Sequence, residues 1–328
     1  MKAYQFHSPS TGLVYKDIPI PVPGSNEVLV KIKATGLCHT DINIFTGKDD
    51  TFFWKRPIVL GHEIAGEVVE IGSDVSKLSV GDRVVSAITT KHPISFGDLT
   101  TSPGIGRDGG FAQYVTLLAA KALPIPEGVS FAQAAVATDA VATAFHAVVT
   151  DGQVTAGSKV AIIGLGGLGL SAVQIASRYG AKVYGIELDP KKYVAAAHAG
   201  AYVCAKSFDK FPGARFDVVL DFAGTGATTV AATKAVKTGG KVVLIGLANR
   251  TAHIDTYDMI ALGVTLKASG GSSIEEVEQC LKMIANKELD PLVEEISFAN
   301  LKEGFDKLAS GKVVGRLFAD PSKLEQHT

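Results

Sequence analysis

Lys159-Val-Ala-Ile-Ile-Gly164-Leu-Gly166-Gly-Leu-Gly169 decides the fold. Residues 159–163 open on a lysine and then run wholly apolar, as a strand buried on both faces requires. Glycines follow at once at 164, 166, 167 and 169. Residues 170–178 read as a helix and residues 182–186 as the next strand, which ends in Glu187. Strand, glycine loop, helix, strand and terminal acid in that order form a dinucleotide-binding fingerprint. Gly164 permits the tight turn, Gly166 lets the backbone approach a pyrophosphate, and Gly169 lets the helix close on the strand. Gly167 and Leu168 lie where the helix N-terminus meets phosphate charge.

Glu187 stands 23 residues after Gly164, where a carboxylate accepts both ribose hydroxyls and repels a 2′-phosphate. NAD(H) is therefore expected rather than NADP. Lys191 and Lys192 sit beside the adenosine ribose in this reading and soften the preference. The alternation continues with a strand at 216–221, a helix at 228–236 capped by Gly239-Gly240, and strands at 241–246 and 264–268. Six parallel strands complete a doubly wound Rossmann sheet, with Gly246 at the carboxyl end where ligands bind.

Outward from this half the pattern changes. Residues 27–34 alternate apolar and charged, and residues 64–71 and 82–86 are further short strands between Gly and Pro turns. They predict a β-rich, partly closed barrel. Residues 87–110 read as a loop, and residues 275–286 and 300–310 as amphipathic helices. Residues 311–318 form a Gly-flanked strand with no partner in the dinucleotide sheet, so it is expected to return to the first domain. The expected division is 1–141, 142–270 and a return over 271–328.

Composition narrows the function classes. The 328 residues carry a net charge of −1, which argues against a nucleic-acid or anionic-membrane partner. No run of about 18 uninterrupted apolar residues is present. Residues 1–15 lack a signal-peptide layout. Cys38, Cys204 and Cys280 are odd in number and widely spaced, which fits a reducing compartment better than a disulfide framework. The expectation is cytoplasmic.

Chemistry concentrates at Gly36-Leu-Cys38-His39-Thr40-Asp41: a soft ligand, an imidazole, a hydroxyl and a carboxylate. Gly61-His62-Glu63 precedes a strand 24 residues on from Cys38, so any pairing of the two is tertiary. Asp139 interrupts an Ala/Val-rich helical run. Such an acid is costly to bury unless it is paired, capped or metal-bound, and Thr138-Asp139 also reads as a helix N-cap. Phe53, Trp54 and Ile88 suit the wall of an apolar pocket. Arg316 reads as a cofactor-phosphate contact or a surface arginine.

Together these stretches, with Val80-Gly-Asp-Arg-Val84 and Gly311-Lys-Val-Val-Gly-Arg316, resemble the zinc-dependent medium-chain alcohol dehydrogenases over nearly the whole chain. The resemblance implies an α/β protein: a barrel-like (GroES-like) catalytic domain, an inserted Rossmann domain, and a cleft between them. It implies zinc on Cys38, His62 and Asp139, with Glu63 as an exchange ligand and Asp41 orienting His62. Thr40 would take the alcohol proton, His39 would meet a cofactor phosphate, and Thr143 would pack on the nicotinamide. Dimers or tetramers would form across residues 264–268.

The chain departs from the family twice. Residues 85–115 contain no cysteine, so one catalytic zinc and no structural zinc are expected. Asn43 replaces the relay histidine common five positions after the cysteine. The implied reaction is reversible hydride transfer between NAD and a primary or secondary alcohol, with its aldehyde or ketone as the product. The alternatives are a zinc-free quinone or enone reductase of the same superfamily and a non-catalytic NAD-binding protein.

Overall fold

A computed structural model describes residues 1–48 and 55–327. The chain forms two compact units, Met1–Asp139 with Gly271–Thr328, and Ala140–Gly270. Phe53 and Trp54 lie outside the described residues.

The second unit carries a parallel six-stranded sheet. Its strands run in space Val203–Ala205, Lys182–Ile186, Lys159–Ile163, Phe216–Asp221, Val236–Leu244 and Thr265–Ala268. Chain order reverses between Lys159–Ile163 and Phe216–Asp221, the switch point at which doubly wound sheets bind ligands. Ala161, Ile163, Val219 and Val242 of the sheet pack with Ala232 and Ala235 of the helix Ala227–Ala235. One turn was misread. The helix stops at Ala235 because Val236 is already extended, and Gly239-Gly240 lie inside the strand assignment rather than capping the helix. Gly239 has φ +71°, so the kink that a glycine there signals is real but belongs to the strand.

The first unit is built on Glu27–Gly36, which pairs with three neighbours: Ile64–Ile71, Tyr114–Leu118 and Arg316–Ala319. Val28, Val30 and Ile32 alternate inward against Ile64, Val68, Val84 and Val115. The strand near the C-terminus thus returns to this unit, as its lack of a partner in the dinucleotide sheet required. It also pairs in parallel with Val293–Ile296. A second core gathers Phe6, Leu37, Leu60, Phe111, Phe305 and Leu317.

Residues 87–110 are more ordered than a loop. Phe96–Thr101 is a helix, started by a capping box in which Ser95 Oγ accepts the Asp98 N–H and Asp98 accepts the Ser95 N–H. The segment is held by Lys121, which is buried and donates through Nζ to the Ile88 carbonyl (3.0 Å), Thr101 Oγ1 (3.0 Å) and the Asp98 carbonyl (3.3 Å). An ammonium thus ties this stretch together.

The helical run Phe131–Asp151 is long and apolar enough to cross a membrane, yet 78% of its most apolar window is buried within the protein. It is a core element. It changes from α to π geometry over Ala137–Val141. Asp139 therefore sits inside the run, and the N-cap alternative is set aside.

Burial pushes the Asp98 carboxyl up, but hydrogen bonds from Ser95 and Thr90 outweigh it and bring it from 3.8 to about 2. A depressed folded value gives stability that is full above pH 3.8 and lost as pH falls through about 2. Asp98→Asn is expected to cost about 1–2 kcal/mol at pH 7. In urea unfolding at a series of pH values, that difference should close between pH 3.8 and about 2.

Candidate active site

Cys38 ends the strand Glu27–Gly36 region and caps the helix His39–Phe45. Its backbone is extended (φ −113°, ψ 150°), and its sulfur accepts the Thr40 N–H at 3.5 Å. The Asp41 carboxylate reaches back to the Cys38 N–H at 3.1 Å. A capping box normally built on Ser or Thr is here built on Cys, so local helix geometry fixes where the sulfur points. Thr40 Oγ1 is 3.5 Å from that sulfur. His39 is exposed at the first helical position.

Asp41 is fully buried and links this turn to the next segment. Its Oδ1 lies 3.4 Å from the Gly61 N–H nitrogen and 3.4 Å from His62 Nδ1. Gly61 has φ +91°, and a Cβ there would meet Phe111 at 2.7 Å. The glycine lets the chain turn so that His62 enters the interior. His62 Nδ1 is a buried atom without a well-aligned partner, and Asp41 is the acceptor within reach. This is how a carboxylate orients a ligand histidine.

Asp139 arrives from the π-helical segment, a geometry common at functional sites. Its Oδ2 lies 3.6 Å from Cys38 Sγ and 3.6 Å from His62 Nε2. One ligand atom from each of the three residues lies within 4.8 Å of the others. Bonds of about 2.0–2.3 Å to a tetrahedral zinc place ligand atoms roughly 3.3–3.8 Å apart. The Cys/His/Asp set fits that ion in donor type and in spacing, and three protein ligands leave a fourth position open. It is the one such cluster among the described residues.

The surroundings are strongly charged. Glu63 is fully buried and pairs through Oε2 with Arg316 Nε at 3.0 Å. Arg316 Nη2 donates to Asp139 Oδ2 at 3.1 Å. Arg316 is buried rather than a surface arginine, and its Nε and Nη2 are directed at these two carboxylates. Burial opposes charge on Arg316, yet Cys38, Glu63 and Asp139 hold it well above its already high value. Burial likewise opposes the His62 imidazolium, but Asp41 and Asp139 outweigh it and raise the group well above 6.5. Burial pushes Glu63 up against the pull of Arg316.

In the second unit the glycine loop has the form the fingerprint demands. Gly164 has φ +86°, and a Cβ on Gly169 would stand 1.8 Å from the Gly164 carbonyl oxygen. The helix Gly167–Arg178 opens at Gly166 with no side-chain cap, and Leu168 follows in its first turn. The Glu187 carboxylate accepts the Leu165 and Asp189 N–H groups, each at 3.0 Å, and meets Lys192 Nζ at 3.3 Å. Thr143 is buried in Ala142–Phe145. Ile88 is half-buried in the first unit.

Asp221 was missed. It is fully buried at the end of Phe216–Asp221 and accepts the Ala223 and Gly224 N–H groups and the Thr228 and Thr229 hydroxyls, all within 3.1 Å. It pins the 223–224 turn against Gly246, where a Cβ would meet Ala223 at 2.4 Å. The signal was available: an acid closing a buried strand, as Glu187 does.

Two family models match the chain: the alcohol dehydrogenase GroES-like domain over residues 24–127 and the zinc-binding dehydrogenase over residues 167–286. An alcohol dehydrogenase of Geobacillus stearothermophilus is 31% identical over 97% of this chain and 98% of its own length. The chain belongs to the alcohol dehydrogenase family of the medium-chain dehydrogenase/reductase superfamily. It is an oxidoreductase of that family. Among solved structures, an acetophenone reductase of Geotrichum candidum in complex with NAD is 31% identical, with a TM-score of 0.89 and coverage of 97% of this chain and 96% of that one. A thermostable alcohol dehydrogenase of Pyrobaculum aerophilum, solved with cobalt and zinc bound, is 25% identical with a TM-score of 0.86, covering 98% and 99%.

Asp139→Ala removes the ligand that is shared at 3.6 Å by sulfur and imidazole. Elemental analysis should find the variant stripped of zinc, while NAD titration finds cofactor binding largely intact. Full zinc occupancy in the variant would mean that another residue supplies the third ligand.

Proposed function

We propose that this protein is a zinc-dependent, NAD-linked dehydrogenase that interconverts hydrophobic primary or secondary alcohols with their aldehydes or ketones. The observation that carries this reading is the Cys38, His62 and Asp139 donor set at the spacing of a tetrahedral ion. A zinc ion held there would supply Lewis acidity toward the oxygen of an alcohol or carbonyl. Asp41 keeps His62 in the orientation that presents Nε2 to the ion. Thr40, whose hydroxyl lies 3.5 Å from Cys38 Sγ, accepts the alcohol proton in oxidation and returns it in reduction. With Asn43 in place of a relay histidine, the proton passes from Thr40 to water or to a histidine elsewhere. Glu63 serves as an exchange ligand beside the set.

The cofactor is NAD(H). Gly164, Gly166, Gly167, Leu168, Gly169 and Gly246 form its phosphate cradle, and Glu187 with Lys192 receives the adenosine ribose. His39 would contact a phosphate and Thr143 would pack on the nicotinamide, the group that would supply hydride chemistry. Likeness to an NAD-bound acetophenone reductase supports both the cofactor and an apolar carbonyl substrate. Ile88 would line the pocket for that substrate. One zinc per chain is expected, because residues 85–115 hold no cysteine. The division into residues 1–141, 142–270 and 271–328 gives the catalytic part, the cofactor part and the return. The edge strand Thr265–Ala268 supports assembly into a homodimer or homotetramer, and three free cysteines support a cytoplasmic setting.

A panel of alcohols and ketones followed by NADH absorbance tests the reading. Turnover with NAD should vanish on chelation and return with added zinc. Undiminished turnover in metal-free protein would refute it. Thr40→Val should lower kcat by about 10²–10⁴-fold, and Thr40→Ser should recover most of the loss.

A further inference from the structure

We propose that Arg316 is a positioning residue for the metal centre: one buried guanidinium fixes the Asp139 carboxylate in its ligand pose and holds Glu63 away from the ligand positions. The inference rests on the zinc reading above and concerns how that site is kept in shape.

Arg316 is itself rigidly placed. Its N–H donates to the Leu292 carbonyl at 2.9 Å, and it lies in register with Val293. Gly315 before it has φ +82°, and a Cβ there would meet the Leu292 carbonyl oxygen at 2.3 Å. From this anchor Nε reaches Glu63 Oε2 at 3.0 Å and Nη2 reaches Asp139 Oδ2 at 3.1 Å. The two donors diverge from one planar group, which a lysine cannot reproduce. The Asp139 oxygen that Nη2 holds is the one lying 3.6 Å from both Cys38 Sγ and His62 Nε2. The clamp therefore acts on the ligand atom itself.

Glu63 adjoins His62 in sequence and is a competing carboxylate. It occupies space left by a missing side chain, since a Cβ on Gly36 would lie 1.8 Å from Glu63 Oε2. Gly36 and Arg316 together keep that charge out of the resting donor set, so that Glu63 enters it only during exchange. Without the guanidinium, Asp139 and Glu63 each lose a buried charged donor.

The test compares wild type, Glu63→Gln, Arg316→Met and the double variant, each as full-length protein stripped of metal and reloaded. Zinc affinity is read by chelator competition, the coordination geometry by the absorption bands of the cobalt-loaded form, and folding by thermal unfolding. Arg316→Met alone removes the buried cation beside Glu63 and is open to misfolding. The double variant removes that charge and decides the question, with Arg316→Lys as a charge-preserving control. Zinc binding by Glu63→Gln sets the reference against which the double variant is read. The double variant should bind about 10- to 100-fold more weakly, with shifted cobalt bands, and Arg316→Lys should weaken binding by less. Deleting a cation next to a metal site favours a second cation on charge alone, so a loss of affinity isolates positioning. Zinc binding in the double variant equal to or tighter than in Glu63→Gln, with unchanged cobalt bands, would overturn the proposal. A wild type that binds no zinc would overturn the metal reading itself, which is a distinct outcome.

Discussion

A carboxylate placed in an alanine-rich, buried helical run is the constraint on which the first unit depends. Asp139 is mostly buried and lies inside the run, away from a helix terminus that could absorb its charge. The cost of burying it is offset only where cations or a metal stand beside it. Much of the surrounding architecture answers that need. The strand Arg316–Ala319 returns from the far end of the chain and brings a guanidinium to it. Gly61 turns His62 inward, and the helix cap at Cys38 aims a sulfur at the same oxygen. Gly36 lacks a side chain because Glu63 fills that space.

The resulting cluster is not a collection of independent ligands. Asp41 touches both the Cys38 turn and His62, and Arg316 touches both Glu63 and Asp139. Each ligand is held by a residue that orients it, which gives the preorganisation a metal centre needs. The second unit uses the same economy on a different ligand. Glu187 and Asp221 stand at the ends of the strands on either side of Lys159–Ile163 and accept backbone N–H groups of the glycine loop and of the 223–224 turn.

What could be read from the sequence followed from how local the cause was. The glycine fingerprint is a local signal: spacing dictates the turn, and the turn dictates the fold around it. Cys38, His62 and Asp139 could be nominated by residue type and family resemblance, but their meeting is a tertiary fact. The pairing of Arg316 with Glu63 left no sign in the sequence because the two lie 253 residues apart, and no spacing rule links an arginine to a carboxylate at that range. The helix Phe96–Thr101 was passed over although Ser95 and Asp98 spell its capping box, because six residues give too little periodicity to stand out. Gly239-Gly240 were read as a cap since glycine marks a helix end and a strand kink alike. The buried ties of Lys121 left no pattern beyond a charged residue next to apolar ones.

The central claim is that one thiolate, one imidazole and one carboxylate share a zinc ion. X-ray absorption at the zinc edge of the purified protein tests it most directly. The account predicts a single sulfur at about 2.3 Å with nitrogen and oxygen neighbours at about 2.0–2.2 Å. A zinc shell without sulfur, or one dominated by several sulfurs, would contradict it.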